Sequence, residues 1–247
     1  MRPQHRQVKN ILLPDIDWVE IPSGNFIYGY GETRTSIYLS SFYISRYPIT
    51  NIQYQAFIND NGYKDNKWWI DLERITLKES TWIESNRPKV NISWYEAVAF
   101  TRWLSNYLGY VVSLPQEQEW EKAARGSSGL IYPWGNEYKY GFANIIDELK
   151  ENNLNQTIAV GMYPHGASPY GIMDMSGNVW EWCLNKYHQS NDINPDRNGD
   201  MRVVRGGSWL SDSNFARAHL RHPSLPFGQE DAWGFRIVYH SSSVKTL

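Results

Sequence analysis

The sequence predicts an α+β fold with little regular secondary structure, in one large domain or two small ones. Three observations predict it. The chain has 247 residues, and a chain of that size buries about 70–75% of its unfolded surface around one sizeable core. Three helical stretches with clear apolar stripes fall in its first half. Beyond Gly126 the periodicity fades, and Gly, Asn, Pro, Ser and aromatic residues interrupt the chain at short intervals. Long irregular segments persist in compact domains only when they are functional or held in place by other contacts.

Residues 1–17 read as a polar leader, with Pro14 as punctuation. Trp18–Tyr30 reads as strand, turn, strand: Val19 and Ile21 alternate with polar residues, Pro22-Ser23-Gly24-Asn25 is turn chemistry, and Phe26 and Tyr28 resume the alternation. Thr35–Tyr47 reads as another strand pair, broken at Ser40-Ser41. A first helix follows Pro48, with Thr50 as its N-cap and Ile52, Phe57 and Ile58 on one face. A second starts at Ser93, where Ser93 and Glu96 form a capping box, each side chain satisfying the other's backbone N–H. Ala97, Phe100, Trp103 and Leu104 then repeat at helical spacing. A third runs from about Pro115 to Arg125, with a stripe of Trp120, Ala123 and Ala124 and a stop at Gly126. The domain extends over 18–240, and 241–247 is a tail.

Composition excludes several classes. The formal net charge is −2, which argues against a protein that tracks nucleic-acid phosphates. One cysteine rules out an intrachain disulfide and any site needing two thiolates from this chain. Apolar runs are far shorter than the roughly 20 residues a membrane helix needs, and no signal segment opens the chain. The expectation is a soluble cytoplasmic protein without nucleic-acid or membrane partners. The distinctive feature is 12 Trp and 17 Tyr, whose rings must be buried and whose N–H and O–H groups need partners.

Several motifs carry physical meaning. Trp180 and Trp182 flank Glu181, so in an extended segment the two indoles share one face and the carboxylate takes the other. A carboxylate beside large rings needs a cation or donors. Arg236, after Gly234-Phe235, is suited to supply a guanidinium fork to such a buried carboxylate. Gly206-Gly207 permits positive φ or close backbone approach just before Trp209. In order, the chain carries Val90-Asn91-Ile92-Ser93-Trp94-Tyr95-Glu96-Ala97, then Leu114-Pro115-Gln116-Glu117-Gln118-Glu119-Trp120-Glu121-Lys122-Ala123-Ala124-Arg125-Gly126, then Tyr132-Pro133-Trp134-Gly135-Asn136. Gly177-Asn178-Val179-Trp180-Glu181-Trp182, Arg205-Gly206-Gly207-Ser208-Trp209 and Gly234-Phe235-Arg236 follow. This series resembles the formylglycine-generating-enzyme (sulfatase-modifying factor) family from about Trp18 to Tyr239. The resemblance implies one domain of the C-type-lectin type, with long loops stabilised by calcium.

The resemblance also implies ligands. Calcium would be held by the carboxylates of Asp174 and Glu181 and the carbonyls of Gly177 and Val179, the mixed oxygen donors that a hard cation takes. A second calcium would map to Asn144 and Ile145 with the loop near Asn152–Leu154. Enzymes of this family bind copper through two cysteines after the G-G-S motif and oxidise a substrate cysteine with dioxygen. The matching positions here are Ser211 and Ala216, neither of which offers a soft thiolate, and the lone Cys183 stands in a different motif. Copper is therefore not expected, and no catalytic residue is assigned.

Attention then falls on 209–234, between two rigid motifs. Leu210, Asp212, Ser213, Phe215, His219, His222, Leu225, Phe227, Gln229, Glu230 and Asp231 follow neither a helical nor a strand period. Rings mixed with acids, imidazoles and amides on a rigid scaffold are what recognition needs. The resemblance extends to the variable proteins of diversity-generating retroelements, whose hypervariable residues lie between the corresponding motifs. The expected function is a non-catalytic module binding a protein or small-molecule ligand through 209–234, with a signalling or protease-like partner implied by related bacterial domains. The alternative is an oxygen-dependent metal oxidoreductase of the formylglycine-generating or sulfoxide-synthase-like type.

Overall fold

A computed structural model of the chain describes residues 7–8, 11–12, 14–147 and 154–244. In chain order the elements are strands β1 (Gln7–Val8), β2 (Ile11–Leu12), β3 (Trp18–Ile21), β4 (Gly24–Tyr28), β5 (Thr35–Leu39) and β6 (Phe42–Ser45), then helix α1 (Asn51–Asn59). Helix α2 (Trp94–Leu108), strand β7 (Tyr110–Ser113) and helix α3 (Glu117–Arg125) follow, and the second half holds β8 (Trp180–Lys186), β9 (Arg202–Arg205), β10 (Arg221–Ser224), β11 (Trp233–Gly234) and β12 (Val238–Val244). The fold is mixed α+β, and most of the chain from 126 to 179 is held without strands, as the fading periodicity predicts.

Strands β3 to β6 are those the alternation predicts, but they pair in a nested way; β1 and β2 fall within the expected leader, and β7 was not expected. β4 and β5 form a hairpin with Phe26 opposite Ile37, while β3 pairs with β6, Val19 opposite Ile44. Thr35–Tyr47 is thus not a local strand pair: its two strands join different sheets. β6 continues to β12 and then β7, all antiparallel, so a strand from each end of the domain lies in one sheet. The second sheet has the order β10-β9-β8-β11, with β11 parallel to β8.

The helices begin where the sequence indicates. Thr50 N–H donates to Gln53 Oε1 at 2.9 Å at the start of α1. The Ser93–Glu96 box forms, with Ser93 N–H donating to Glu96 Oε2 at 2.8 Å and Glu96 N–H to Ser93 Oγ at 3.2 Å. The face of α1 differs from the expected one: Tyr54 and Phe57 are buried, whereas Ile52 is 63% exposed. α3 begins at Glu117, because the Pro115 carbonyl accepts from Leu184 N–H and holds that residue in the approach to the helix.

Two apolar clusters make the core. One gathers α1 and α2 with Trp180, Trp182 and Phe235, and the other sets Trp120, Ala123 and Ala124 of α3 against Phe42, Ile44, Cys183 and Val203. α3 also buries Glu117, Glu119 and Glu121. Each has a basic partner: Arg221 for Glu117, His240 for Glu119, and Arg125 with Arg205 for Glu121. No helix among the described residues is long and apolar enough to cross a membrane.

Candidate functional site

The centre of the molecule is an ion pair. Arg236 and Glu181 are both fully buried. Arg236 Nε donates to Glu181 Oε2 at 2.5 Å and Nη2 to Oε1 at 2.7 Å, and Trp120 Nε1 adds a third donor to Oε2 at 2.6 Å. The remaining guanidinium hydrogens reach the carbonyls of Ser45, Arg46 and Met173. On the other face of β8, Trp180 and Trp182 enter the first cluster together, as the alternation of a strand requires.

This frame carries a cleft of about 450 Å³ where β8 and β11 meet the loop after β9. Its lining is Ile146, Trp180, Ser208, Leu210, Ser211, Asp212, Phe215, His222, Glu230, Asp231, Ala232 and Trp233. Trp233 pairs in register with Trp180, which brings both ring systems to one edge. The loop leaves β9 through Gly206 and Gly207, at φ +96° and +75°. A Cβ on Gly207 would meet the Phe215 carbonyl and Ala216 Cα at 3.1 Å, so the turn folds back closely on its own loop. Asp212 Oδ1 accepts from the N–H groups of Asn214 and Phe215, which presents the Phe215 ring outward. Leu210 is 52% and Phe215 45% exposed. The His222 ring tilts over Trp180 at 5.4 Å.

Of the eleven residues singled out in 209–234, the structure brings Leu210, Asp212, Phe215, His222, Glu230 and Asp231 into this cleft. Five stand elsewhere. Gln229 Nε2 donates to Glu96 Oε2 at 2.8 Å and to the Thr76 carbonyl, so its amide ties the segment to the start of α2. Ser213 uses its N–H on Asp147 and its carbonyl on Tyr132. Leu225 and Phe227 are exposed outside the lining. His219 stacks on Tyr30, ring centroids 4.2 Å apart, and shares no ring contact with His222. Sequence reasoning did not place Ile146, Trp180, Ser208, Ala232 or Trp233 in a binding surface. The available signal was the flanking of 209–234 by G-G-S-W and W-G-F-R, whose own residues form the rim.

Burial, reinforced by Arg125, Arg205 and Arg217, pushes the His219 imidazole down to about 4. A group whose folded value lies below its unfolded value of about 6.5 stabilises the fold at neutral pH and loses that contribution as pH falls from 6.5 towards 4. Urea midpoints at pH 7 and pH 5 should therefore fall further in the parent chain than in His219→Gln. Parallel declines in the two proteins would remove the histidine from the account.

The metal expectations meet a different geometry. Ala216 is 1% exposed and offers no donor, and Ser211 Oγ accepts from Ser208 N–H at 3.0 Å. Cys183 is buried in the second cluster, and burial pushes its thiol up. Among the described residues no group of three or more His, Cys, Asp or Glu is placed to hold a metal ion. Both oxygens of Glu181, expected as a calcium ligand, accept from Arg236 and Trp120. Asp174 keeps one buried carboxyl, raised by burial to about 6, with Oδ2 accepting from Gly161 N–H. The Gly177 and Asn144 carbonyls accept from Val179 and Asn178 N–H groups, and Asn144 bridges Gly177 directly. One carboxylate and a few engaged carbonyls do not match the six to eight oxygens, roughly, that calcium takes. Val179 and Ile145 are buried beside them and add only backbone oxygen. Asn152 and its neighbour 153, expected at the second site, lie outside the described residues, as do parts of the leader and tail.

Comparisons agree with this architecture. The family model described as "Sulfatase-modifying factor enzyme 1-like domain" matches residues 7–241. The chain is 31% identical over 249 residues to "Serine/threonine-protein kinase pkn1" of Chlamydia caviae, covering 90% of this chain but 38% of that protein. It is 27% identical over 279 residues to "Inactive C-alpha-formylglycine-generating enzyme 2" of Bos taurus, covering 90% of this chain and 88% of the relative. Among solved structures, Treponema denticola variable protein 1 superposes with a TM-score of 0.71 at 22% identity, covering 90% of this chain and 94% of the other, which shows a common fold.

Proposed function

The chain belongs to the sulfatase-modifying factor enzyme 1-like domain family, and from that premise we propose that it is a non-catalytic recognition module that holds a protein or small-molecule ligand in the cleft beside β8 and β11. The observation that carries this reading is the lining. The rings of Trp180, Trp233 and Phe215 stand with Asp212, Glu230 and Asp231, and no lysine or arginine is among the lining residues. Aromatic faces attract cations and carboxylates pair with them, so the cleft suits a ligand with an apolar body and a positive charge. Ser211 and Ala216, where the family's copper enzymes place thiolates, favour holding a ligand over oxidising it. The fold shared with a variable protein supports recognition of the diversity-generating-retroelement type. The chlamydial relative is named as a kinase and the match takes up 38% of it, which supports a signalling partner.

Capture of partner by the immobilised chain tests the cleft. Phe215→Ala and Asp231→Asn should each weaken capture by about tenfold, the size of an interface anchor, with unchanged melting. Full capture by both variants would falsify the assignment. Dioxygen uptake with aldehyde formation on a cysteine peptide, in the presence of Cu(I), would establish the oxidoreductase reading instead. The pairing of Glu181 with Arg236 predicts that EDTA leaves the melting curve in place. A drop of several degrees, with calcium found by elemental analysis, would restore the ion.

A further inference from the structure

A second cleft, about 340 Å³, lies between α1 and the coil that precedes α2, and shares no residue with the first. Its apolar walls are Ile58 of α1 and Leu77 and Ile83 of the coil; Ile83 is 77% exposed. Among its lining residues is Lys89, 4% exposed, placed in a run whose following residues Val90, Ile92 and Trp94 are all buried. Lys89 Nζ donates to the Lys78 carbonyl and to Ser80 Oγ, both at 3.2 Å, and stands 5.5 Å from the centre of the Tyr54 ring.

An ammonium removed from water is costly unless a counter-ion accompanies it. Lys89 has none at ion-pair distance among the described residues. Two carboxylates act on it from further off. Glu96 is engaged by Ser93, Tyr63 and Gln229, and Glu79 lies on the rim of the cleft. Burial pushes the Lys89 amine down to about 8, so it remains mostly charged at neutral pH. A methionine would fill the same length without a charge, so packing alone does not account for the amine. Among the described residues the ammonium has two hydrogen-bond acceptors and the Tyr54 ring beside it, and aliphatic side chains line the same cleft.

We propose that this cleft binds a small organic anion, a monocarboxylate with a short aliphatic body, whose carboxylate meets Lys89 and whose chain lies against Ile58, Leu77 and Ile83. The volume is at the lower end for ligand cavities, which suits a short chain over a lipid tail. The bound carboxylate supplies the counter-charge that the buried ammonium lacks. Glu79 is the internal competitor for the same cation.

The test is a titration of the isotope-labelled full chain with hexanoate, followed by amide NMR, with hexanol and hexylamine as controls. Hexanoate should shift the amide signals of Ser80, Ile83 and Lys89 to saturation, and the controls should not. Lys89→Met should weaken hexanoate by at least about tenfold, as expected for loss of a charge-assisted contact. Glu79→Gln, on the exposed rim, should bind it as well as the parent or better. The proposal is overturned by no saturable shift into the tens-of-millimolar range, by equal response to hexanol, by undiminished binding in Lys89→Met, or by loss of binding in Glu79→Gln.

Discussion

Arg236→Met should lower the unfolding free energy by about 3–5 kcal/mol, the usual cost of leaving one member of a buried ion pair alone. The guanidinium joins three parts of the fold: Glu181 of β8, the Met173 carbonyl, and the Ser45–Arg46 corner after β6. Its removal leaves the Glu181 carboxylate buried with Trp120 Nε1 as its remaining donor. Marginal stability of about 5–15 kcal/mol makes such a loss visible as a large shift in a urea midpoint. The double variant Arg236→Met, Glu181→Leu should be more stable than the sum of its single changes predicts, since it leaves no charge behind. A single-variant loss under about 1 kcal/mol would mean that water reaches the pair and screens it.

Glu121→Ala is expected to be as severe, for a different reason. The carboxylate is 1% exposed and serves three donors: Gly29 N–H and Arg125 Nη1 on one oxygen, Arg205 Nη2 on the other. Without it two buried guanidiniums face each other with only carbonyls as partners, among them Leu130, Gly129 and His219. A loss of about 3–5 kcal/mol follows. The lost Gly29 bond adds a local signature: amide exchange should quicken along β4–β5 before it does in β8. Glu121→Gln should fall between, since the amide oxygen keeps one acceptor but its NH₂ opposes an arginine. Uniform exchange across both sheets would show that Glu121 does not tie the hairpin to α3.

The helix starts, the shared face of Trp180 and Trp182, and the fork that Arg236 offers a buried carboxylate were all legible along the chain. Each depends on residues within a few positions, or on one charge that has to be answered. The contacts of Gln229, His219 and Glu181 were not legible along the chain, for a common reason. Their residue types suit a ligand, yet each had a partner far away in sequence that claimed it: Glu96 and Thr76, Tyr30, and Arg236. The three glutamates of α3 look like a solvated face, and only the arrival of Arg221, His240, Arg125 and Arg205 makes them interior.

Local spacing was enough to place the helix starts, the strand segments between 18 and 47 and the absence of a thiolate pair, because capping, alternation and ligand chemistry operate over a few residues. Which strand pairs with which, whether 209–234 opens as a cleft, and where Lys89 meets an aliphatic pocket depended on segments brought together from distant parts of the chain. Pairing of that kind is selected by the burial and charge balance of the whole domain, and no short window of residues contains both partners.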